Sequence, residues 1–197
     1  VELKTVCVFC GSRPGARPEF LAAAKALGEE LARRKLTLIY GGASVGLMGA
    51  VADATLAGGG RAVGVLPVSL QQREIGHVGL HELHLVNSMH ERKALMVKRA
   101  DAFIALPGGF GTFDELFEVI TWGQLGLHTK PIGLLDVGGY FQPLVSMVLR
   151  GVEDGFIPEA QARPYAVSAS VTELMDRLAA GPTMQVTEKW IRRTDET

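Results

Sequence analysis

Cysteine is scarce in this chain of 197 residues: there are two, Cys7 and Cys10. They form a CxxC, but not in the setting of a redox pair, which stands at a helix N-terminus where the thiolate is stabilised. Here they fall within Thr5-Val6-Cys7-Val8-Phe9-Cys10, a strand pattern. Residues three apart on a strand point to opposite faces, so the expectation is two small buried residues on a core strand, not a disulfide or a metal clip. A surplus of charge of one sign is also missing. With 20 basic and 21 acidic residues and a net charge of −1, the chain carries no signature of a nucleic-acid or membrane-surface partner. No apolar run approaches the ~20 residues that a membrane helix needs. The opening Val1-Glu2-Leu3-Lys4 leads into a strand without the pattern of a signal peptide. The expectation is a soluble, cytoplasmic protein that binds neither nucleic acid nor membrane.

Several catalytic signatures are absent as well. There is no GxSxG elbow, no GxxxxGK[ST] loop and no HExxH. The run from Gly41 to Gly49 lacks the lysine with a hydroxyl residue next to it that would hold a triphosphate and its magnesium, which speaks against ATP-driven phosphoryl transfer. His77, His81 and His84 are closely spaced, yet they straddle a loop and a strand start with no cysteine cluster nearby. No metal and no cofactor are expected.

What the chain does have is hydrophobic residues, 47% of the total, and 24 glycines that cluster after apolar runs. That clustering predicts tight strand-to-helix turns. Strand patterns at 5–10, 36–40, 61–66, 82–86, 102–106, 131–135 and 164–168 alternate with helical patterns near 18–34, 47–58, 88–99, 113–125, 139–152 and 170–180. The runs LTLIY, AFIAL and PIGLL are apolar almost throughout, as strands buried on both faces are. The pattern predicts an α/β fold: a single-domain, doubly wound (Rossmann-like) parallel sheet with helices on both faces. The domain spans 1–181, and 182–197 reads as a C-terminal tail in which Trp190 and Ile191 could be anchors. Ser88-Met89-His90-Glu91 and Ser170-Val171-Thr172-Glu173 match the S-x-x-E capping box, and Gly58-Gly59-Gly60 stops the second helix.

The richest segment is Pro107-Gly108-Gly109-Phe110-Gly111-Thr112-Phe113-Asp114-Glu115, or PGGxGTxxE, between a strand and a helix. Free N–H groups at the start of a helix suit an anion such as phosphate, and Glu115 sets an acid beside them. Ligands of a doubly wound sheet bind outside the carboxyl ends of the strands. That edge collects Gly11-Ser12, the turn at Gly41-Gly42, the segment 67–81 with Glu74, and the motif itself. Arg92 and Lys93, near the start of the helix that begins about Ser88, belong to the same edge. Each has a plainer reading. Thr112-Phe113-Asp114-Glu115 is itself a T-x-x-E capping box, Arg92 and Lys93 suit a solvated helix face, and Glu74 sits in a polar loop.

Taken together, Cys10-Gly11-Ser12, Tyr40-Gly41-Gly42, Gly46-Leu47-Met48-Gly49, Met89-His90-Glu91-Arg92-Lys93, PGGxGTxxE and Glu118-Val119-Ile120-Thr121-Trp122 resemble the Lonely Guy family. These are cytokinin riboside 5′-monophosphate phosphoribohydrolases, many of which have been labelled lysine decarboxylase-like. The resemblance covers roughly residues 4–180. It implies hydrolysis of a nucleoside 5′-monophosphate (AMP or a cytokinin riboside monophosphate) to free base and ribose 5-phosphate. It implies that Arg92 and Glu115 are the catalytic pair. Glu74, Lys93, Gly109, Phe110, Gly111, Thr112, Phe113, Asp114 and Thr121 match substrate-contacting positions, and Gly41, Gly42 and Gly108 join them through the glycine turns. Asp114 stands where many members have Glu.

The chemistry suits that assignment, because a breaking ribosyl C–N bond builds positive charge on the sugar and a nearby carboxylate stabilises it. The helical pattern 113–125 is apolar around nearly its whole circumference, which asks for cover on both sides. The resemblance implies a homodimer. The rivals are a non-catalytic nucleotide or molybdenum-cofactor carrier on the same fold, and a decarboxylase, which would need a pyridoxal phosphate lysine.

Overall fold

The computed structural model describes residues 2–71 and 76–182. Glu74, Trp190 and Ile191 lie outside the described residues. Seven strands form one sheet: β1 (Thr5–Phe9), β2 (Thr37–Tyr40), β3 (Arg61–Pro67), β4 (Glu82–Val86), β5 (Ala102–Ala105), β6 (Ile132–Leu135) and β7 (Ala166–Ser168). All pairings are parallel, in the order β4-β3-β2-β1-β5-β6-β7. The helices are α1 (Pro18–Arg33), α2 (Gly46–Ala57), α3 (Val68–Gln71), α4 (Met89–Arg99), α5 (Phe110–Gln124), α6 (Gln142–Glu153) and α7 (Val171–Ala179).

β1 lies at the centre of the sheet. Val6, Cys7, Val8 and Phe9 are all buried, with β2 on one side and β5 on the other. The chain winds from β1 outward through β2, β3 and β4, then α4 carries it back to β5, and the order reverses. The doubly wound expectation holds, and the switch point lies between β1 and β5. One core layer joins Val6, Val8 and Cys10 to Leu27 of α1, Val51 of α2 and Leu174 of α7. The opposite layer joins Cys7 and Phe9 to Met96 of α4, Leu116 of α5 and Val148 of α6. The two cysteines therefore face opposite layers, and both are free and buried. Burial pushes each thiol up, as does the charge of Glu115, so neither is a ready thiolate.

Three helices depart from the sequence pattern. α5 begins at Phe110, three residues before the expected 113, since glycines carry the turn directly into the helix. The stretch 139–152 divides into a 3₁₀ turn (Val137–Gly139) and α6, because Gly138 and Gly139 take left-handed backbone at φ 57° and 74°. The short α3 had no periodic signal. Ser88 caps α4 through the N–H of Glu91 at 3.1 Å, but the Glu91 carboxylate accepts from Asn87 N–H at 2.8 Å, one residue outside the reciprocal box. Ser170 likewise accepts from Glu173 N–H, while the Glu173 carboxylate takes the Ser168 hydroxyl at 2.6 Å. Among the described residues, no helix is long and apolar enough to cross a membrane.

Candidate active site

The switch point brings together the loops that leave β1 and β5. Gly11 N–H donates to Pro107 O at 3.1 Å, and Leu106 N–H donates to Phe9 O at 2.9 Å, so the two loops are laced at their base. The approach is close: a Cβ on Gly108 would stand 2.0 Å from Thr112 Oγ1 and 2.9 Å from Gly11 N. Glycine is required there by space alone. Beyond it Gly109 is the N-cap of α5, with no side-chain cap for the first-turn N–H groups. Those groups lack intrahelical partners and carry the positive end of the helix dipole.

This start rules out the plain reading of Glu115. Thr112 lies inside the first turn of α5, not at its cap, so Thr112-Phe113-Asp114-Glu115 is no capping box. Glu115 stands farther along the helix and is 8% exposed. Arg92, one turn into α4, is 6% exposed and not a solvated surface residue. Its Nη2 lies 3.6 Å from Glu115 Oε1. That is an ionic contact, longer than the 2.7–2.9 Å of a charge-assisted hydrogen bond. Arg92 Nη1 donates to Met89 Sδ at 3.7 Å, while Nε is buried without a hydrogen-bond partner. A buried guanidinium with an unmet donor is costly unless a ligand completes it.

The guanidinium fits because Gly41 has no side chain; a Cβ there would lie 2.0 Å from Arg92 Nη2 and 3.0 Å from Met48 Sδ. A cavity of about 210 Å³ is lined by Arg92, Glu115, Gly41, Gly109, Phe110, Gly111 and Thr112, with Cys10, Ser12, Met48 and Met89 among the remaining walls. Seven of these are site residues expected from the sequence, and Gly11 and Ser12, at the edge the sequence assigns to the ligand, line it as well. Met48 and Met89 stand in the motifs of the resemblance, but no residue-level signal marks them as walls.

Other named residues stand apart. Gly108 lines a neighbouring cavity of about 570 Å³, with Arg13, Phe20, Leu47 and Tyr140, which meets the first at Gly11, Ser12, Gly109 and Phe110. Gly42 lies behind the turn against Gly64 and Leu83. Lys93 is buried and points to α5, with Nζ 3.1 Å from Asp114 Oδ2 and 3.0 Å from Glu118 Oε1. Burial works to lower its pKa, but Glu118 and Asp114 outweigh it and hold the ammonium above its ordinary value. Phe113 stacks on Tyr140 at 6.4 Å. Thr121 is exposed, farther along α5. The histidines go separate ways: His77 Nε2 meets Asp53 at 2.9 Å, and His84 Nε2 meets Glu82 at 2.7 Å. Among the described residues, no three His, Cys, Asp or Glu side chains group as metal ligands.

Known proteins resemble this chain in fold and in sequence. The molybdenum cofactor binding protein of Rippkaea orientalis matches with a TM-score of 0.67 over 91% of this chain and 98% of that one. At 20% identity the likeness is one of fold alone. A rice protein named probable cytokinin riboside 5′-monophosphate phosphoribohydrolase LOG4 is 50% identical over 176 residues, covering 89% of this chain and 76% of its own. Cytokinin riboside 5′-monophosphate phosphoribohydrolase LOG1 of Arabidopsis thaliana is 50% identical over 178 residues, covering 90% and 83%. A family model described as "Possible lysine decarboxylase" matches residues 48–178. A match across two helical layers and the switch-point turn, joined to half-identity along nearly the whole described chain, makes this protein a member of the Lonely Guy family.

Proposed function

We propose that the chain hydrolyses the N-glycosidic bond of a nucleoside 5′-monophosphate, AMP or a cytokinin riboside monophosphate, to free base and ribose 5-phosphate. The single observation that carries this is the buried Arg92–Glu115 pair at 3.6 Å, beside the uncapped start of α5. The phosphate sits against the backbone N–H groups of residues 109–112, so binding energy remote from the reacting bond positions the sugar. Glu115 faces the anomeric carbon. As the C–N bond breaks, its electron pair leaves with the base, and the carboxylate stabilises the positive charge that grows on the sugar. Glu115 then takes a proton from the water whose oxygen bonds to that carbon, and that proton passes on to the departing base, which restores the carboxylate. Arg92 holds the nucleotide through donors that Glu115 does not saturate.

Lys93 contributes as a brace. By binding Asp114 and Glu118 it ties α4 to α5 and so keeps the spacing of Arg92 and Glu115. Glu74, Phe113, Asp114 and Thr121 are assigned to substrate binding on the family resemblance, and Gly42 and Gly108 through the glycine turns. A homodimer completes the reading: Phe117, Leu125 and Leu127 leave apolar surface exposed along and just beyond α5, and a second copy is the economical cover for it. A soluble, cytoplasmic setting, with neither nucleic acid nor membrane as partner, goes with a small nucleotide substrate. A passive carrier would gain little from a carboxylate at its anion seat.

The test is a panel of nucleoside monophosphates and their parent nucleosides assayed for released base. Base release from at least one monophosphate, and much slower release from its nucleoside, is the expected result. Binding without release from every member would make the protein a carrier.

A further inference from the structure

We propose that Tyr140 is a positioning residue for the phosphate seat, an inference that rests on the phosphoribohydrolase reading above. Tyr140 comes from the far side of the switch point, after β6, and no motif pointed to it. Its hydroxyl donates to Gly108 O, the carbonyl at the centre of the PGGxG turn. The ring stacks on Phe113 with an interplanar angle of 16°, and meets Phe20 and Phe141 edge-on at 5.9 Å and 5.2 Å. Asp136, at the end of β6, accepts from Phe141 N–H at 2.7 Å and from the Gln142 amide, which sets the reversal that returns Tyr140 over the sheet edge.

The consequence follows from peptide geometry. Among the described residues no peptide bond is cis, so the Gly108 carbonyl and the Gly109 N–H point in opposite directions. Holding the carbonyl toward Tyr140 turns the N–H away from it. Tyr140 lines only the larger cavity, whereas Gly109 also lines the smaller one with Arg92 and Glu115. The N–H is thereby aimed toward the catalytic side, in line with the first-turn donors of α5. Among the described residues no other hydrogen bond holds this peptide unit; on its Gly109 side a Cβ would have no neighbour within 4 Å, and a Gly-Gly unit passes readily between backbone regions. A flipped unit would present a carbonyl oxygen to the phosphate and replace an attraction with a repulsion.

The test is Tyr140→Phe, which keeps the ring and removes the hydroxyl. Ribose 5-phosphate and adenosine are titrated calorimetrically against wild type and variant, alongside thermal melting and base release from AMP. The expected result is that ribose 5-phosphate binds ~10-fold more weakly to the variant, the order of one charge-assisted hydrogen bond, with adenosine binding unchanged. Unchanged ribose 5-phosphate affinity would overturn the proposal, as would a loss shared equally by adenosine, which is what a merely structural role gives. Since each affinity is read from the binding curve of folded protein, a lower melting temperature does not blur the outcome. The calorimetry also stands apart from catalysis: absence of base release by wild type would remove the hydrolase reading while the phosphate seat is still decided.

Discussion

Gly41 and Arg92 are matched in shape: the guanidinium occupies the space that a side chain on Gly41 would fill, with Nη2 only 2.0 Å from where that Cβ would be. The glycine of Tyr40-Gly41-Gly42 is therefore tied to a side chain on a different helix. Gly41→Ala should fold, because the colliding atom is the end of a flexible side chain, but Arg92 must shift away from Glu115. Turnover should fall by ~10²-fold, the usual penalty for a catalytic group displaced by about 1 Å. Steady-state kinetics with a melting curve check this, and an Ala variant with full activity would break the link.

Glu115→Gln should retain the fold, since the amide is nearly isosteric and α5 has its own start at Gly109. The loss of a general base and of the negative charge should lower kcat by ~10²–10⁴ with KM little changed. Wild-type turnover in the purified variant would return Glu115 to a structural role.

Acid stability should depend on Glu30. Its carboxylate accepts from Arg33 Nε at 2.6 Å and from Arg34 Nε at 2.6 Å, and Arg34 goes on to Asp176 of α7 at 2.7 Å. The bond from Arg33 leads, burial opposes it, Arg34 adds to it, and the carboxyl is held at about 2. A carboxyl lowered on folding stabilises fully above its unfolded value of ~4.3 and loses that contribution as pH falls through the folded value. Wild type should therefore lose more stability than Glu30→Gln between pH ~4.3 and ~2. Glu82, held at about 2 by Arg99, His84 and Arg61, adds its own slope in this window, so the difference between the two proteins is the quantity to measure by denaturant unfolding. Parallel slopes would contradict the assignment.

Leu127 is 69% exposed, with Leu125 and Phe117 also uncovered on the same segment of chain. Leu127→Asp should leave the folded subunit intact and shift a dimer toward monomer in sedimentation velocity. Wild type sedimenting as a monomer at micromolar concentration would remove the dimer proposal.

Much of this was legible in the residues, for identifiable reasons. The parallel sheet was readable because LTLIY and AFIAL are apolar on both faces, and their burial follows. Arg92 and Glu115 were readable as a pair because topology sends the starts of α4 and α5 to the same edge. The start of α5 was misjudged since Phe110 and Gly111 look like loop, and a helix whose first turn is held by geometry instead of a capping side chain leaves no cap residue to read. Tyr140 was invisible for a different reason. Its partner is a carbonyl 32 positions away, and no periodicity or spacing rule registers a contact of that kind. The turn at Gly138-Gly139 that delivers Tyr140 falls at the start of the helical pattern 139–152, which masks the break. Glu74 rested on its place in the segment 67–81 and on the family resemblance.

The bare N-terminus of α5 has one more consequence. A helix end that no side chain finishes is finished by whatever anion arrives, so the folded state gains free energy with every occupied seat while the unfolded chain gains none. The melting point of the protein should then climb with the logarithm of phosphate or nucleotide concentration, making heat tolerance a gauge of how well fed the enzyme is.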